Sequence, residues 1–491
     1  MRLPLLPFFL PLLAGCTAIG PDYQRPASVA PARWSEAVPP NSTAVPSGST
    51  TATPDSAWWK SFGDPELDSL IDRAVRANHN VLLARARVQE ARAQHGLAEA
   101  DAGPTVDASG GYERLRTSRH QPVLGSLPVP SDVPFDNNVY QAGFDASWEI
   151  DVFGGKRREE EAAAADLAAA VSGQRAALVT LLGDVARAYV DLRTSQRRLA
   201  IAAENTAIQE QSLGIVRDRV AHGLSGGLDS AQAEALLATT RALVPQLESQ
   251  QHIALHRLGV LLGLSPDALH DELVAVQPIP TAPPSVPVGL PSTLLLRRPD
   301  IQLAERRLAA ATARIGVAKA DLFPRFFLTG SVGVQSIDTG NLFTEDSTLW
   351  SIGPSIRWRI FDSGRVRSAI RVQEAKRDQA HLAYEQTVLG ACEEVENALV
   401  SYAKEQTRRQ SLADAVTASR TALDLAGTLY ANGVKDFLVV LDAQRSLHQA
   451  EESLVASDRA VTTDLIALYK ALGGGWEGSE PATPPLAQAE H

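Results

Sequence analysis

The chain has 491 residues, of which 44% are hydrophobic and 21% charged, and a net charge of −11. That length holds two or three ordinary domains or one elongated molecule, and the apolar content excludes wholesale disorder. The acidic balance excludes a nucleic-acid surface, which needs clustered Lys and Arg, and two cysteines, Cys16 and Cys392, exclude a disulfide framework.

Residues 1–15 read as a lipoprotein signal peptide. Arg2 supplies a minimal positive start, and Leu3–Leu13 is apolar but too short to span a bilayer. Leu13-Ala14-Gly15-Cys16 resembles a bacterial lipobox, whose small residues let a signal peptidase approach the backbone. Cys16 would then be the mature N-terminus and carry N-palmitoyl and S-diacylglycerol groups. The alternative is an ordinary secretory signal with an unrelated cysteine; Pro4, Pro7 and Pro11 are unusual in a helical signal. By resemblance to enterobacterial sorting, Thr17 in place of aspartate directs the protein to the outer membrane. Residues 16–60 form a lipidated tether, rich in Pro, Ser, Thr and Ala from Ala27 to Ser56. Nothing later offers about 18 uninterrupted apolar residues, so a bilayer could be crossed only by a closed β-barrel.

Self-comparison divides the rest into two repeats, residues 61–276 and 292–473, joined by a Pro-rich linker at 277–291 and followed by a tail, 474–491, expected to be disordered. Ala100–Pro104 matches Ala320–Pro324, and Gly110 matches Gly330. Trp148-Glu149-Ile150 matches Trp358-Arg359-Ile360. Ala221–Leu224 matches Ala431–Val434, followed by Ala231-Gln232 and Ala443-Gln444. Each half reads helix, two strands, long helix, turn, long helix.

Val139–Asp151 alternates strictly, with Tyr140, Phe144, Trp148 and Ile150 on one side and Gln141, Asp145 and Glu149 on the other. Trp350–Ile360 repeats the pattern, while Thr105–Arg114 and Phe326–Gln335 alternate more weakly. Period-two alternation gives each strand an apolar and a polar face. A half-buried soluble sheet and a membrane barrel both fit this pattern. Pro354 lacks a ladder N–H and belongs at a bulge or sheet edge. Arg119–Asn137 and Ser336–Thr348 would link the paired strands. Four strands cannot close a barrel, for which roughly eight is the practical minimum, so several chains must contribute.

Lys156 to about His222 and Arg365 to about Asn432 contain no proline and are rich in helix formers. Val171, Leu178, Val185, Leu192 and Leu199 recur every seven residues, as do Val440, Leu447, Leu454, Val461 and Leu468. Sustained heptads indicate coiled-coil packing. Cys392 lies in a helical run and reads as a small buried residue. Gly223-Leu224-Ser225-Gly226-Gly227 fits the G-x-S-x-G of hydrolases, but that motif follows a strand and here a long helix precedes it. A helix–turn–helix tip accounts for the glycines through positive φ. The ten histidines show no metal-ligand spacing and no phosphate loop occurs, so neither an enzyme nor a metal or other cofactor is expected.

Several short motifs in this order resemble the outer membrane factor family, the TolC-like and NodT-like efflux lipoproteins. They are Leu13–Cys16, Ile19–Tyr23, Trp59–Asp64, Arg297–Asp300, Ala318–Pro324 and Leu441–Gln444. The resemblance implies a mainly α fold with a membrane β-barrel: a homotrimer with twelve strands in outer-membrane lipid above a periplasmic coiled-coil tunnel. It also implies two partners, a periplasmic membrane-fusion adaptor and an inner-membrane efflux pump. The helical tips at Gly223, Leu224, Gly433 and Val434 would dock the adaptor. Leu438 and Asp442 match the positions that close the periplasmic mouth, and Val439 stands where some relatives have a second acid. Leu438 as a coiled-coil contact and Asp442 as a surface charge is the other reading of that pair. The implied function is passive conduction of small molecules; a protein-secretion conduit and a structural envelope lipoprotein are the alternatives.

Overall fold

A computed structural model of the chain describes residues 18–27, 31, 34–35, 57–116, 118, 136–281 and 297–477. The elements are α1 (Pro65–Ala77), α2 (His79–Ala100), β1 (Thr105–Arg116), β2 (Asp136–Ile150), α3 (Gly155–Ala221) and α4 (Gly227–Leu261). They continue with the short α5 (His270–Leu273), α6 (Pro299–Ala320), β3 (Arg325–Ser336), β4 (Thr348–Arg357), α7 (Arg365–Ala431) and α8 (Phe437–Ala471). Among the described residues no helix is long and apolar enough to cross a membrane.

The longer helices of the two halves match in length. α3 and α7 each have 67 residues, α4 and α8 each 35, α2 and α6 each 22. Left-handed glycines flank matching helices: Gly154 and Gly364 precede α3 and α7, Gly223 and Gly433 follow them, and Gly263 and Gly473 follow α4 and α8. Each follows its counterpart by 210 positions, so the pairing of Ala231-Gln232 with Ala443-Gln444 is two residues out of step. Equal helix lengths between matching glycine turns make Leu228 the counterpart of Leu438 and Gln232 that of Asp442.

Two compact units divide the chain. The first comprises residues 1–26, 89–169 and 304–383 and holds the sheet. Its four strands are antiparallel in sequence order, β1-β2-β3-β4. β2 begins earlier than its alternation suggests, at Asp136, and β4 stops at Arg357, leaving Trp358 and Ile360 outside the strand. The reason is pairing: Arg357 faces Arg325, the first residue of β3, and nothing beyond it has a ladder partner. Pro354 lies on the edge strand β4, as its missing N–H requires. Gly143 faces Gly333 so closely that a Cβ at Gly143 would meet the Val332 carbonyl oxygen at 2.7 Å. Most of Arg119–Asn137 lies outside the described residues; the β3–β4 link contains two single-turn 3-10 helices, Thr339–Asn341 and Glu345–Ser347.

The same unit holds residues 18–25, which are strapped down rather than loose. Ile19 N–H donates to the Phe153 carbonyl at 3.0 Å. Arg158, almost fully buried, donates to the carbonyls of Ala18, Ile19 and Gly20 and pairs with Asp22 (2.6 Å) and Glu161 (2.7 Å). A Cβ on Gly20 would sit 2.5 Å from the Gly316 Cα, so only glycine allows this approach. The tether therefore has an ordered anchor at its start.

The second unit, residues 27–88, 170–303 and 384–491, has the main core. Trp58, Leu67, Leu70, Ile71, Val185, Tyr189, Leu258 and Leu465 are buried in it. Trp58 stacks on Tyr469 with ring centroids 5.2 Å apart. Gly63 takes φ 63° and turns the chain into Asp64, which caps α1 by accepting from the Glu66 and Leu67 amides and also accepts from the Tyr189 hydroxyl at 2.8 Å. The boundary at residue 60 thus falls inside the packed 3-10 helix Trp58–Phe62. The expectation of a disordered tail also needs correction at its start. Trp476 donates to the Arg297 carbonyl, lies under the Arg175 guanidinium, and is followed by Glu477 paired with Arg297 at 2.7 Å. An aromatic ring with a polar edge satisfied in this way is worth ordering. The rest of the tail lies outside the described residues. Cys392 is buried on α7, and burial pushes its thiol pKa up, away from reactivity.

Candidate channel wall and helical tips

The strand register sorts the sheet into two faces. Val106, Phe144, Trp148, Phe326, Leu328, Val332, Trp350, Ile352 and Ile356 fall on one, because directly paired residues share a face. The other carries Asp107, Ser109, Asp145, Glu149, Ser331, Gln335 and Ser351. A half-buried soluble sheet would cover its apolar face; here Trp350 is 73% exposed, Ile352 71% and Ile356 66%. Asp107 stands directly opposite Asp145, and Ser109 donates to the Asp145 carboxylate at 3.3 Å. Like charges facing each other on a sheet are tolerated only where water solvates them. The weak alternation of β1 and β3 obscured their share of this polar face in the sequence; the signal on β1 was Asp107, Ser109, Gly111 and Glu113 at every second position.

Trp148 and Trp358 play equivalent parts at the sheet's end. The Trp148 indole donates to the Ala102 carbonyl at 2.9 Å, and the Trp358 indole to the Leu322 carbonyl at 3.0 Å. Each ring thereby ties a strand end to the turn after α2 or α6 and stays partly exposed.

The strap adds a charged cluster that spacing could not reveal. Glu305, nearly fully buried, accepts from Tyr23, Arg25 and Arg306. Burial disfavours its ionised form, but the hydrogen bonds from the two arginines outweigh this and hold its pKa below the ordinary value.

In the second unit the two helical tips have one geometry. Leu224 N–H donates to the Arg219 carbonyl and Gly223 N–H to that of Val220; Val434 and Gly433 do the same to Leu429 and Tyr430. This is the glycine-centred helix stop that needs a left-handed residue, supplied by Gly223 and Gly433. Beneath the tips Leu213, Val216, Leu237, Tyr430, Phe437 and Val440 close a small core. Leu224 and Val434 project from it, 67% and 64% exposed. Ser225 follows α3 and donates to the Asp229 carboxylate in the first turn of α4, so it lies in a link between two helices instead of topping a strand.

Leu438 and Asp442 stand one turn apart near the start of α8, both on its exposed side, while Phe437, Val440, Leu441 and Gln444 point into the core. Leu438 is 54% exposed, so within one chain it is not a packing contact. Among the described residues no cation pairs with Asp442. Val439 lies beside them, also exposed. Cys16 lies outside the described residues.

Known proteins account for this arrangement. The outer membrane efflux protein family matches residues 70–264 and 290–474. Nodulation protein T of Rhizobium leguminosarum bv. trifolii is 32% identical, over 96% of this chain and 97% of its own. The toluene efflux pump outer membrane protein TtgI of Pseudomonas putida is 33% identical, over 98% of this chain and 100% of its own. The solved structure of the outer-membrane channel OprN superposes with a TM-score of 0.86 at 36% identity, covering 93% of this chain and 99% of that one. These likenesses extend along nearly the whole length, and the chain belongs to the outer membrane efflux protein family: it is an outer-membrane channel protein, not an enzyme.

Proposed function

We propose that three copies of this chain form a passive conduit that carries small organic molecules from a periplasmic adaptor and inner-membrane pump to the exterior. The observation that carries this reading is the sheet: four strands, two open edges, an apolar face without cover and an acidic face opposite. Three such sheets make twelve strands, enough to close with lipid outside and water inside. The correspondence of the halves is best explained by an internal duplication, which makes a threefold assembly pseudo-sixfold. Cys16 is proposed as the lipidated N-terminus, with the Ile19–Arg25 strap fixing where the tether joins the body. Leu224 and Val434, apolar and exposed at the tips, are proposed to meet the adaptor. The name of the toluene efflux relative favours small molecules over secreted protein as cargo.

Threefold symmetry turns Leu438 and Asp442 into an apolar ring stacked on an acidic one. Such a mouth resists wetting and repels anions. Mass measurement of the purified protein in detergent is expected to give a trimer. In planar bilayers Leu438→Ala with Asp442→Ala is expected to raise resting conductance several-fold without dissociating it. Unchanged conductance from intact mutant trimers would place the constriction elsewhere, and a conducting monomer would overturn the assembly.

A further inference from the structure

His95 and Glu99 lie one turn apart on α2, and Glu160 reaches the same point from the second turn of α3. One nitrogen of His95 and one oxygen of each glutamate lie within 4.8 Å of one another; His95 and Glu160 are half-buried. The cations nearest along α3 are engaged elsewhere: Lys156 with Glu159, Arg157 with Asp151, and Arg158 with Asp22 and Glu161. His95 Nδ1 stands 3.6 Å from Glu99 Oε1, and among the described residues no Lys or Arg pairs with Glu99 or Glu160. Two carboxylates held this close repel each other unless a proton or cation lies between them.

The other half of the chain shows that helix packing does not require this set. The positions matching His95, Glu99 and Glu160 are Ile315, Lys319 and Ile370. There Ile370 packs with Ala318 and Val366 in a small apolar cluster, and Ile315 is buried. One helix pair is closed by hydrocarbon, its counterpart by three ligand-type side chains.

We propose that His95, Glu99 and Glu160 bind one first-row divalent cation of the Zn2+ class. One imidazole nitrogen and two carboxylate oxygens form a familiar three-ligand set for such ions, with further positions left to water. A ligand pair one turn apart on one helix, completed from its neighbour, is also how helical bundles build metal sites. α2 runs into β1 and β2 runs out into α3, so the cation fastens the two roots of the first hairpin.

The test uses the full-length protein in detergent, stripped with EDTA and titrated with Zn2+ by calorimetry, with metal content read by mass spectrometry. The triple variant His95→Ile, Glu99→Lys, Glu160→Ile, which copies the side chains of the other half, is expected to bind one Zn2+ fewer per chain. Glu160→Gln, which hardly perturbs packing, is expected to weaken that same equivalent at least tenfold. Zn2+ should raise the thermal midpoint of the parent protein and leave that of the triple variant unchanged. Binding at other histidines, such as the exposed neighbours His252 and His256, would survive both changes and is removed by the subtraction. Equal Zn2+ stoichiometry and affinity in the parent and both variants would overturn the proposal, as would no uptake by the parent at micromolar Zn2+. None of these readings depends on channel activity.

Discussion

The helical body around Trp58 and the four-stranded sheet dispose of their apolar side chains in opposite ways. In the body Leu67, Leu70, Ile71, Val185 and Leu465 are inaccessible to water, and the buried Tyr189 hydroxyl finds its partner in Asp64. In the sheet Trp350, Ile352 and Ile356 are as apolar and lie bare, while the opposite face places Asp107 against Asp145. The body is therefore stabilised by contacts within the chain. The sheet lacks such a core; in the proposed assembly its stability comes from lipid on one face and from other copies along β1 and β4.

The largest expected effect tests the body. Leu70→Ala should cost about 2–5 kcal/mol, the range for a buried leucine whose site cannot collapse. Loss of helical circular dichroism on heating in detergent measures it, and a negligible shift would mean that the core is plastic. The next tests the sheet. Ile352→Arg should lower barrel stability by about 2–4 kcal/mol in lipid, whereas Ser351→Arg, the neighbour on the polar face, should insert normally. Refolding into vesicles followed by protease protection separates the two; equal behaviour would break the assignment of faces. Asp64→Ala is smaller, about 0.5–2 kcal/mol for a lost helix cap, and it also strands the Tyr189 hydroxyl. Asp64→Asn should recover most of the loss in the same melt, since its side-chain oxygen can still cap α1.

The smallest effect is pH-dependent and concerns the strap. The folded pKa of Glu305 lies below its ordinary value of 4.5, so the carboxylate binds protons less readily in the folded state. Its contribution is complete above that ordinary value and is lost as pH falls through the lowered folded one. Glu305→Gln should therefore be less stable than the parent at neutral pH, with the gap narrowing under acid. Limited proteolysis near Tyr23 across this range would show it, and a gap independent of pH would assign the strap to packing alone.

Much of this was legible along the chain because it depends on local rules. Proline-free runs predict α3 and α7 to within one or two residues, since helix formation needs only short-range hydrogen bonds and unhindered backbone. Gly223 and Gly433 announce their turns because a left-handed residue must end such helices. Trp59–Asp64 is a motif for a physical reason: buried rings, a positive-φ turn and a helix cap follow one another within six residues. Alternation in β2 and β4 marked an apolar face that register then extended to β1 and β3.

Other features were decided only by the folded chain, because they join residues far apart in sequence. Pairing, not composition, ends β4 at Arg357 and leaves Trp358 to close a turn by its indole N–H. The strap exists because Arg158 collects carbonyls and acids from residues 18–22, and because Gly20 and Gly316 let two backbones meet. Trp476 is held by Arg297 and Arg175, so the chain's order extends past the last helix. The exposure of Leu438 and Asp442 was undecided until the opposite side of α8 was seen to carry the core contacts. His95 and Glu160 meet for the same reason: periodicity sets which way each helix faces, but only packing sets which helix it faces.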